Sequence, residues 1–394
     1  MMFFARWRQD IMIDFVKKMR IKFYVFLFNH LPIKKNKIIM WSNSFKNYAC
    51  NPRYLAEHLL KSEYNYDIVW VFNDLSKIPN DFPKDMRVVK YFSISYLYEI
   101  ATAKIIVGNA RTASHYYMKK RKQQVYIQTW HSSLRLKMIE KDAEKELPHS
   151  YIQNAIEDSK KIDYVVSGCK FSSNIFHNSF WYDGKILEVG TPRIDFLLKD
   201  HEETRKKIRD RIGIEHEAKV ILYAPTFRKG NLQEVYNIDY ERLVKQLEKK
   251  YGTKCYVLIK YHPNLQNEKI LIRESKQIKN VTSYGDIQEL IISCDMLITD
   301  YSSCMFDCAY IYKPCVLYMP DYETYVSSER QLYFDIEALP FLQARNLEEL
   351  DKIVMEFRED KYKDSVNDFL TQIGSFETGH SCEQIENLIQ RYIR

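Results

Sequence analysis

A chain of 394 residues is longer than one hydrophobic core usually sustains, so two domains of ordinary size are expected. With 46% apolar residues, 30 Tyr and 21 Phe, a disordered chain is excluded. The 59 Lys and Arg against 52 Asp and Glu leave a formal charge of +7, a modest excess that suits a membrane surface, a phosphorylated substrate or nucleic acid without choosing among them.

Residues 1–36 stand apart from the rest. Phe3, Phe4, Trp7, Ile11, Phe15 and Met19 recur near helical spacing among Arg6, Arg8, Lys17, Lys18, Arg20 and Lys22, and Pro32 closes the segment. Aromatic residues and cations on opposite faces predict a basic amphipathic helix lying in the membrane interface. An ordinary helix docked on the protein's own body is the competing reading. No run approaches the length needed to cross a bilayer, and the short apolar stretch Phe23–Phe28 has no cleavage site after it, so no secretory signal is expected. The 8 cysteines are scattered without a Cys-x-x-Cys, which reads as reduced core residues of a protein that stays inside the cell, with zinc ligation or disulfides as the weaker alternative.

From Lys37 onward apolar strands alternate with amphipathic helices. Ile38–Trp41, Ile68–Phe72, Ile105–Val107, Val125–Ile127 and Tyr164–Val166 read as strands, with helices near Tyr54–Lys61 and Tyr151–Lys160. A second series follows at Val220–Tyr223, Tyr256–Ile259, Met296–Thr299 and Val316–Tyr318. Two such series predict two Rossmann-like domains, 37–200 and 201–394, with the boundary in the charged stretch Lys199–Arg211. Gly-x-Gly-x-x-Gly and P-loop motifs are missing from a chain with 10 glycines, which argues against a dinucleotide dehydrogenase or a P-loop ATPase.

Five segments sit just past apolar strands, where ligands of open parallel sheets bind. "QTWHSSLRLK" puts His131 after a strand, followed by Arg135 and Lys137; "VGTPRID" places Arg193 in a turn after a strand. "YAPTFRK" supplies Thr226 and Arg228, "IKYHPN" supplies Lys260 and His262, and "LITDYSS" supplies Asp300, Ser302 and Ser303. The last opens a helix carrying Asp307, so Ser302 and Ser303 read either as a phosphate seat or as simple helix caps. Any one of these residues is as easily structural. Together they offer a histidine base in the first half and donors able to hold a diphosphate in the second.

The order of "QTWH", "GTPR-x-D", "YAPTFR", "HPN" and "DIQELIISCDMLITDYSSCMFDCA" resembles the CDP-glycerol glycerophosphotransferases, the teichoic acid primases and polymerases of Gram-positive bacteria. The similarity runs from about Trp41 to near the C-terminus and includes "SNSFKNYACNPRYLAEHLL". The resemblance implies a GT-B fold with an acceptor domain first and a CDP-donor domain second. It also implies transfer of a polyol phosphate, glycerol or ribitol phosphate, from a CDP-polyol to a hydroxyl of a lipid-linked or polymeric acceptor, releasing CMP in synthesis of a cell-surface polymer. Carried over residue by residue, the family's motifs fall on His131 as base, His262 as support for the diphosphate, and Thr226, Arg228, Ser302 and Ser303 as donor-phosphate contacts. Arg193, Lys260, Asp300 and Asp307 are further candidates, the aspartates more in keeping with a bracing role. One departure stands beside the presumed base: where the family usually reads Trp-His-Gly-Thr-Pro-Leu-Lys, this chain reads Trp130-His131-Ser132-Ser133-Leu134-Arg135-Leu136, losing a permissive glycine and a fixed proline.

The expected setting is peripheral, on the cytoplasmic face of the cell membrane, with no nucleic-acid partner and an oligomer left open. No metal or other cofactor is required, although a stimulating divalent ion would be compatible. Two other readings compete: a GT-B glycosyltransferase using a nucleotide sugar, and a non-catalytic membrane-bound scaffold.

Overall fold

The computed structural model describes residues 19–111, 119–199, 201–228, 233–236, 238–261, 273–328 and 331–394. Two parallel sheets, each flanked by helices, make up the molecule. The first contains β1 (Lys34–Met40), β2 (Asp67–Phe72), β3 (Arg87–Lys90), β4 (Ala103–Gly108), β5 (Val125–Gln128), β6 (Tyr164–Ser167) and β7 (Lys185–Glu188), in the order β3-β2-β1-β4-β5-β6-β7. The second contains β8 (Lys219–Tyr223), β9 (Cys255–Ile259), β10 (Ile278–Asn280), β11 (Met296–Thr299), β12 (Cys315–Tyr318) and β13 (Leu342–Ala344), in the order β10-β9-β8-β11-β12-β13. Both are doubly wound, and both reverse direction beside their first strand, between β1 and β4 and between β8 and β11.

The central strands are continuous apolar runs because helices cover both their faces. Ile38, Ile39 and Met40 are fully buried, with Ile38 in register with Ile68 on one side and Ile105 on the other. Edge strands look different. β3 is Arg-Val-Val-Lys and β7 is Lys-Ile-Leu-Glu, both with exposed charged ends, as edges that must not recruit another strand should be.

The division between sheets falls near residue 200, yet the chain does not stay in the second unit. The final helix, Ser381–Ile393, returns to the first sheet and buries Cys382, Ile385, Leu388 and Ile389 among Ile38, Leu55, Ile105 and Val166. Its N-terminus is held there by Asp195 of the Gly-Thr-Pro-Arg-x-Asp motif, whose carboxylate accepts from the Ser381 and Cys382 amides at 3.0 and 2.7 Å. Glu377 adds bonds from the Thr191 amide and hydroxyl, both 2.8 Å. The second expected unit, 201–394, thus gives its last helix to the first, because the apolar face of that helix matches the first sheet's open surface.

The two units also meet directly. Leu134 and Leu136, from the loop after β5, pack in one cluster with Ile194, Leu222, Leu297 and Phe306. Arg53 bonds Glu289 at 2.6 Å, and Asp286 accepts from the Cys50 amide and the Tyr54 hydroxyl.

Residues 1–18, which carry most of the expected membrane helix, lie outside the described residues. Residues 19–28 are helical. Ile21, Tyr24, Val25 and Phe28 pack against the first domain's core, while Met19, Phe23, Phe26 and Leu27 are exposed. No helix among the described residues is long and apolar enough to cross a membrane.

Candidate active site

Between the two units lies a cavity of about 660 Å³, lined at the carboxyl ends of β5, β8, β9 and β11. From the first unit come Trp130, His131, Ser132, Arg135, Lys137 and Arg193; from the second come Thr226, Lys260, Tyr301, Ser302 and Ser303. Thr226 and Ser302 follow β8 and β11, the two strands that flank the second sheet's switch point.

His131 is placed by a strained turn. Trp130 ahead of it has φ of 50°, a left-handed conformation that costs a bulky residue roughly 1–3 kcal/mol and persists only when its surroundings impose it. Here they do. The buried Asn51 amide donates to the Thr129 and Trp130 carbonyls at 2.9 and 3.0 Å, while its oxygen accepts from the Arg193 amide at 3.0 Å. The Trp130 amide donates to Gln128 Oε1 at 3.1 Å, and the Trp130 ring lies against the imidazole with centroids 4.5 Å apart.

The imidazole's tautomer follows from its partner. Nδ1 lies 3.0 Å from the Asn109 carbonyl oxygen, which can only accept, so Nδ1 carries the proton and Nε2 is left basic. Asn109 is itself fixed, accepting from the Asn43 amide at 2.7 Å. The ring opens onto the cleft, but the protein around it, with Arg135 and Arg193 pushing the same way, lowers its pKa to about 4. At neutral pH it is an uncharged proton acceptor.

Arg193 belongs to the first turn of the helix Pro192–Leu197 rather than to a turn. Its guanidinium donates to the His131 carbonyl and pairs with Asp307, both within short contact, and Gln288 Nε2 donates to the same Asp307 oxygen at 3.0 Å. Arg193 and Asp307 are 5% and 1% exposed, so this is a buried ion pair between the two units, and the carboxylate holds the guanidinium charged.

Arg228 forms the matching brace in the second unit. Its nitrogens donate to Asp300 Oδ2 at 2.7 Å, to Asp321 Oδ2 at 2.6 Å and to the Thr226 carbonyl at 3.0 Å, with a further short bond to the Thr226 hydroxyl. Asp300 also receives the amides of Thr226 at 2.9 Å and Tyr301 at 2.6 Å. The pair therefore shapes both loops from behind the cavity wall, with Tyr301 and Tyr325 stacked at 3.6 Å beside it. Lys260 does reach the cavity; it donates to the Tyr284 carbonyl at 2.6 Å, and burial lowers its pKa to about 8. Ser303 occupies the cap position of the helix Cys304–Tyr310 but makes no side-chain capping bond.

The sequence from residue 23 to 391 matches the family described as CDP-glycerol:poly(glycerophosphate) glycerophosphotransferase. The chain belongs to this family. It is 32% identical over 370 residues to the teichoic acid poly(glycerol phosphate) polymerase of Bacillus spizizenii strain W23, covering 90% of this chain and 92% of that protein. The polymerase of the same name from Bacillus subtilis strain 168 is 31% identical over 386 residues, 94% of this chain but 51% of that protein, so the chain spans about half of that longer relative. The solved structure of the wall teichoic acid polymerase TagF superposes with a TM-score of 0.83 at 28% identity, covering 96% of this chain and 97% of that one. A TagF form soaked with CDPG superposes with a TM-score of 0.82.

Of the residues singled out from the sequence, His131, Thr226, Ser302, Ser303, Arg193 and Lys260 line one cavity. Arg228, Asp300 and Asp307 stand behind its wall and hold those that do. His262 lies outside the described residues. Sequence reasoning missed Asn51, Asn109, Gln288 and Asp321, since an amide or a lone aspartate carries no chemical signature until the fold brings its partners to it.

One cavity residue has no such partner. Arg135 is 3% exposed, yet among the described residues none of its three guanidinium nitrogens has a hydrogen-bond partner. Its guanidinium lies 4.3 Å above the Phe176 ring, a contact worth up to about 2 kcal/mol when desolvated. That falls short of the several kcal/mol lost in burying an unpaired cation, and burial accordingly lowers its pKa to about 10.

Proposed function

We propose that this protein transfers a polyol phosphate, glycerol phosphate or ribitol phosphate, from a CDP-polyol to a hydroxyl of a lipid-linked or polymeric acceptor in teichoic-acid-type polymer synthesis. The observation that carries the reading is the shared cavity, with a neutral histidine on one wall and hydroxyls and Lys260 on the other. The arrangement is GT-B-like, with the acceptor in the first unit and the CDP-donor in the second. The acceptor oxygen attacks the polyol-bearing phosphorus, its proton passes to His131 Nε2, and the bond from that phosphorus to the bridging oxygen breaks. CMP leaves with the electron pair. Thr226, Ser302, Ser303 and Lys260 meet the charge on the diphosphate, while Arg228 and Asp300 act through Thr226. Anionic substrate entering the cleft opposes the field of Arg135 and Arg193, so the histidine grows more basic when it is needed.

The reading draws on no cofactor. It places the protein at the inner face of the cytoplasmic membrane, with Met19, Phe23, Phe26 and Leu27, exposed beside Arg20 and Lys22, as the contact. CMP release is the test, from CDP-glycerol and CDP-ribitol in parallel, with a lipid-linked acceptor, a His131→Ala control, and EDTA and Mg²⁺ arms. Release from one donor, lost in the variant, supports the reaction and names the polyol. Turnover of UDP-sugars alone would instead make the protein a glycosyltransferase.

A further inference from the structure

In the reaction just described Arg135 acts on His131 only through its field and is given no contact with either substrate. It lies in the loop after β5, four residues beyond His131 and on the same wall. Its two neighbours in sequence, Leu134 and Leu136, are 1% and 0% exposed and lock the backbone on either side of it into the interface between the units. The carboxylate it feels most, Glu140, bonds Arg111 at 3.2 Å and the Tyr151 hydroxyl at 2.6 Å without bonding Arg135, and Arg111 also pairs with Asp158 at 3.0 Å. The other groups near it, Cys169, Tyr310 and Tyr333, are neutral thiol and phenols with raised pKa values. A guanidinium does not lose its proton at any ordinary pH, so the protein holds a buried positive charge with no hydrogen-bonded anion among the described residues. The other buried arginine beside the same histidine, Arg193, is answered by Asp307.

We propose that Arg135 is the receptor for a phosphate carried by the acceptor, one unit back from the attacking hydroxyl. The inference rests on the polyol-phosphate reading above and deepens it: the acceptor is an alcohol whose neighbouring unit bears a phosphate monoester or diester, and Arg135 selects it over an uncharged alcohol. The first unit's wall carries His131 and Arg135 together, so a hydroxyl at the base and a phosphate at the guanidinium belong to one molecule. Binding requires the guanidinium, whose nitrogens are buried over Phe176, to turn toward the cavity that Arg135 lines. An anion arriving there meets a cation already stripped of water, and a charge-assisted bond forms without a further desolvation cost on the protein side.

The full chain is tested with glycerol 3-phosphate, glycerol–phosphate–glycerol and plain glycerol as soluble acceptors, with a short-chain lipid-linked sugar phosphate as a fourth arm. Wild type, Arg135→Met and Arg135→Lys are compared. Wild type should bind the phosphate-bearing alcohols about ten-fold or more tightly than Arg135→Met by titration calorimetry, with glycerol binding equal in both and Arg135→Lys intermediate. In turnover the loss should fall on the acceptor KM, with the donor KM unchanged. Preference for glycerol–phosphate–glycerol identifies a polymer end as the phosphate's source, and preference for the lipid-linked arm a membrane-bound primer. Because Arg135→Met removes an unpaired buried charge, its melting temperature should hold or rise. Equal phosphate binding in wild type and Arg135→Met overturns the proposal, as does a shift confined to the donor KM or a marked drop in melting temperature. If no donor releases CMP at all, the reaction reading fails, while the calorimetry still decides the anion site.

Discussion

The ion pair between Arg193 and Asp307 offers the sharpest test of how the cavity is held together. Asp307→Asn keeps shape and one acceptor but removes the charge. It leaves Arg193, 5% exposed, with an unanswered cation. Breaking one partner of a buried pair typically costs about 3–5 kcal/mol. The lower end applies here, because the amide oxygen can still accept from Gln288. For a domain of 150–250 residues, about 3 kcal/mol corresponds to a fall of roughly 6–12 °C in melting temperature. Activity should fall further than stability explains, since the same guanidinium donates to the His131 carbonyl.

Scanning calorimetry on Asp307→Asn, Arg193→Met and the double variant Arg193→Met with Asp307→Leu separates these effects. The double variant removes both charges and should regain most of the lost stability, as buried pairs replaced by apolar residues generally do, but not the turnover. With Asp307→Leu as the matching single variant, the cycle should give a coupling of about 1–3 kcal/mol. A melting temperature for Asp307→Asn within about 2 °C of wild type, or a double variant as unstable as the two singles added together, would show that the pair does not hold the units in register.

Ser303→Ala should leave stability nearly unchanged, because its hydroxyl makes no capping bond where a capping serine would be worth about 1 kcal/mol, and should raise the donor KM. His131→Ala should cut kcat about 10²- to 10⁴-fold with circular dichroism unaltered. In the wild type the acid limb of kcat/KM should lie near pH 4 and the basic limb near pH 8, where Lys260 loses its proton; Lys260→Met should erase the basic limb. The folded ring of His131 refuses a proton between its ordinary value of 6.5 and about 4, whereas the unfolded chain accepts it. Stability therefore declines as pH falls through that window, and His131→Ala should blunt the decline in a urea-melt series. Phe23→Ser with Phe26→Ser should weaken sedimentation with vesicles rich in anionic lipid, and unchanged binding would move the membrane contact elsewhere.

The fold was readable from the chain wherever burial dictated composition. Central strands such as Ile38–Met40 and Cys255–Ile259 are covered on both faces, so their apolar runs announce them. The three-residue strands Ile278–Asn280 and Leu342–Ala344, and the charged Arg87–Lys90, do not, because an edge is paired on one side only and needs neither length nor a continuous apolar face. The return of Ser381–Ile393 to the first sheet was equally hidden. Its helical pattern shows an apolar stripe, and a stripe does not name the surface it covers.

The site divides along the same line. Strand ends mark where ligands bind, so His131, Thr226 and Ser302 could be placed in one cleft from their positions after strands. What a cation does there depends on its partners, and those lie far away in sequence. Arg193 meets Asp307 across 114 positions and Arg228 meets Asp300 across 72. Before the fold is known, Arg135, Arg193 and Arg228 are three equivalent positive charges near three strand ends. Once it is known, two are braces paired with carboxylates, Asp307 and Asp300, that fix the loops lining the cavity. The third is buried without a hydrogen-bonded anion among the described residues. A cavity of this size between parallel sheets could serve many ligands. The fact that its one guanidinium without a hydrogen bond among the described residues stands on the histidine's side, opposite the hydroxyls of the second unit, makes the cleft polar in a directed sense, with anion-seeking groups on both walls and the imidazole beside the first.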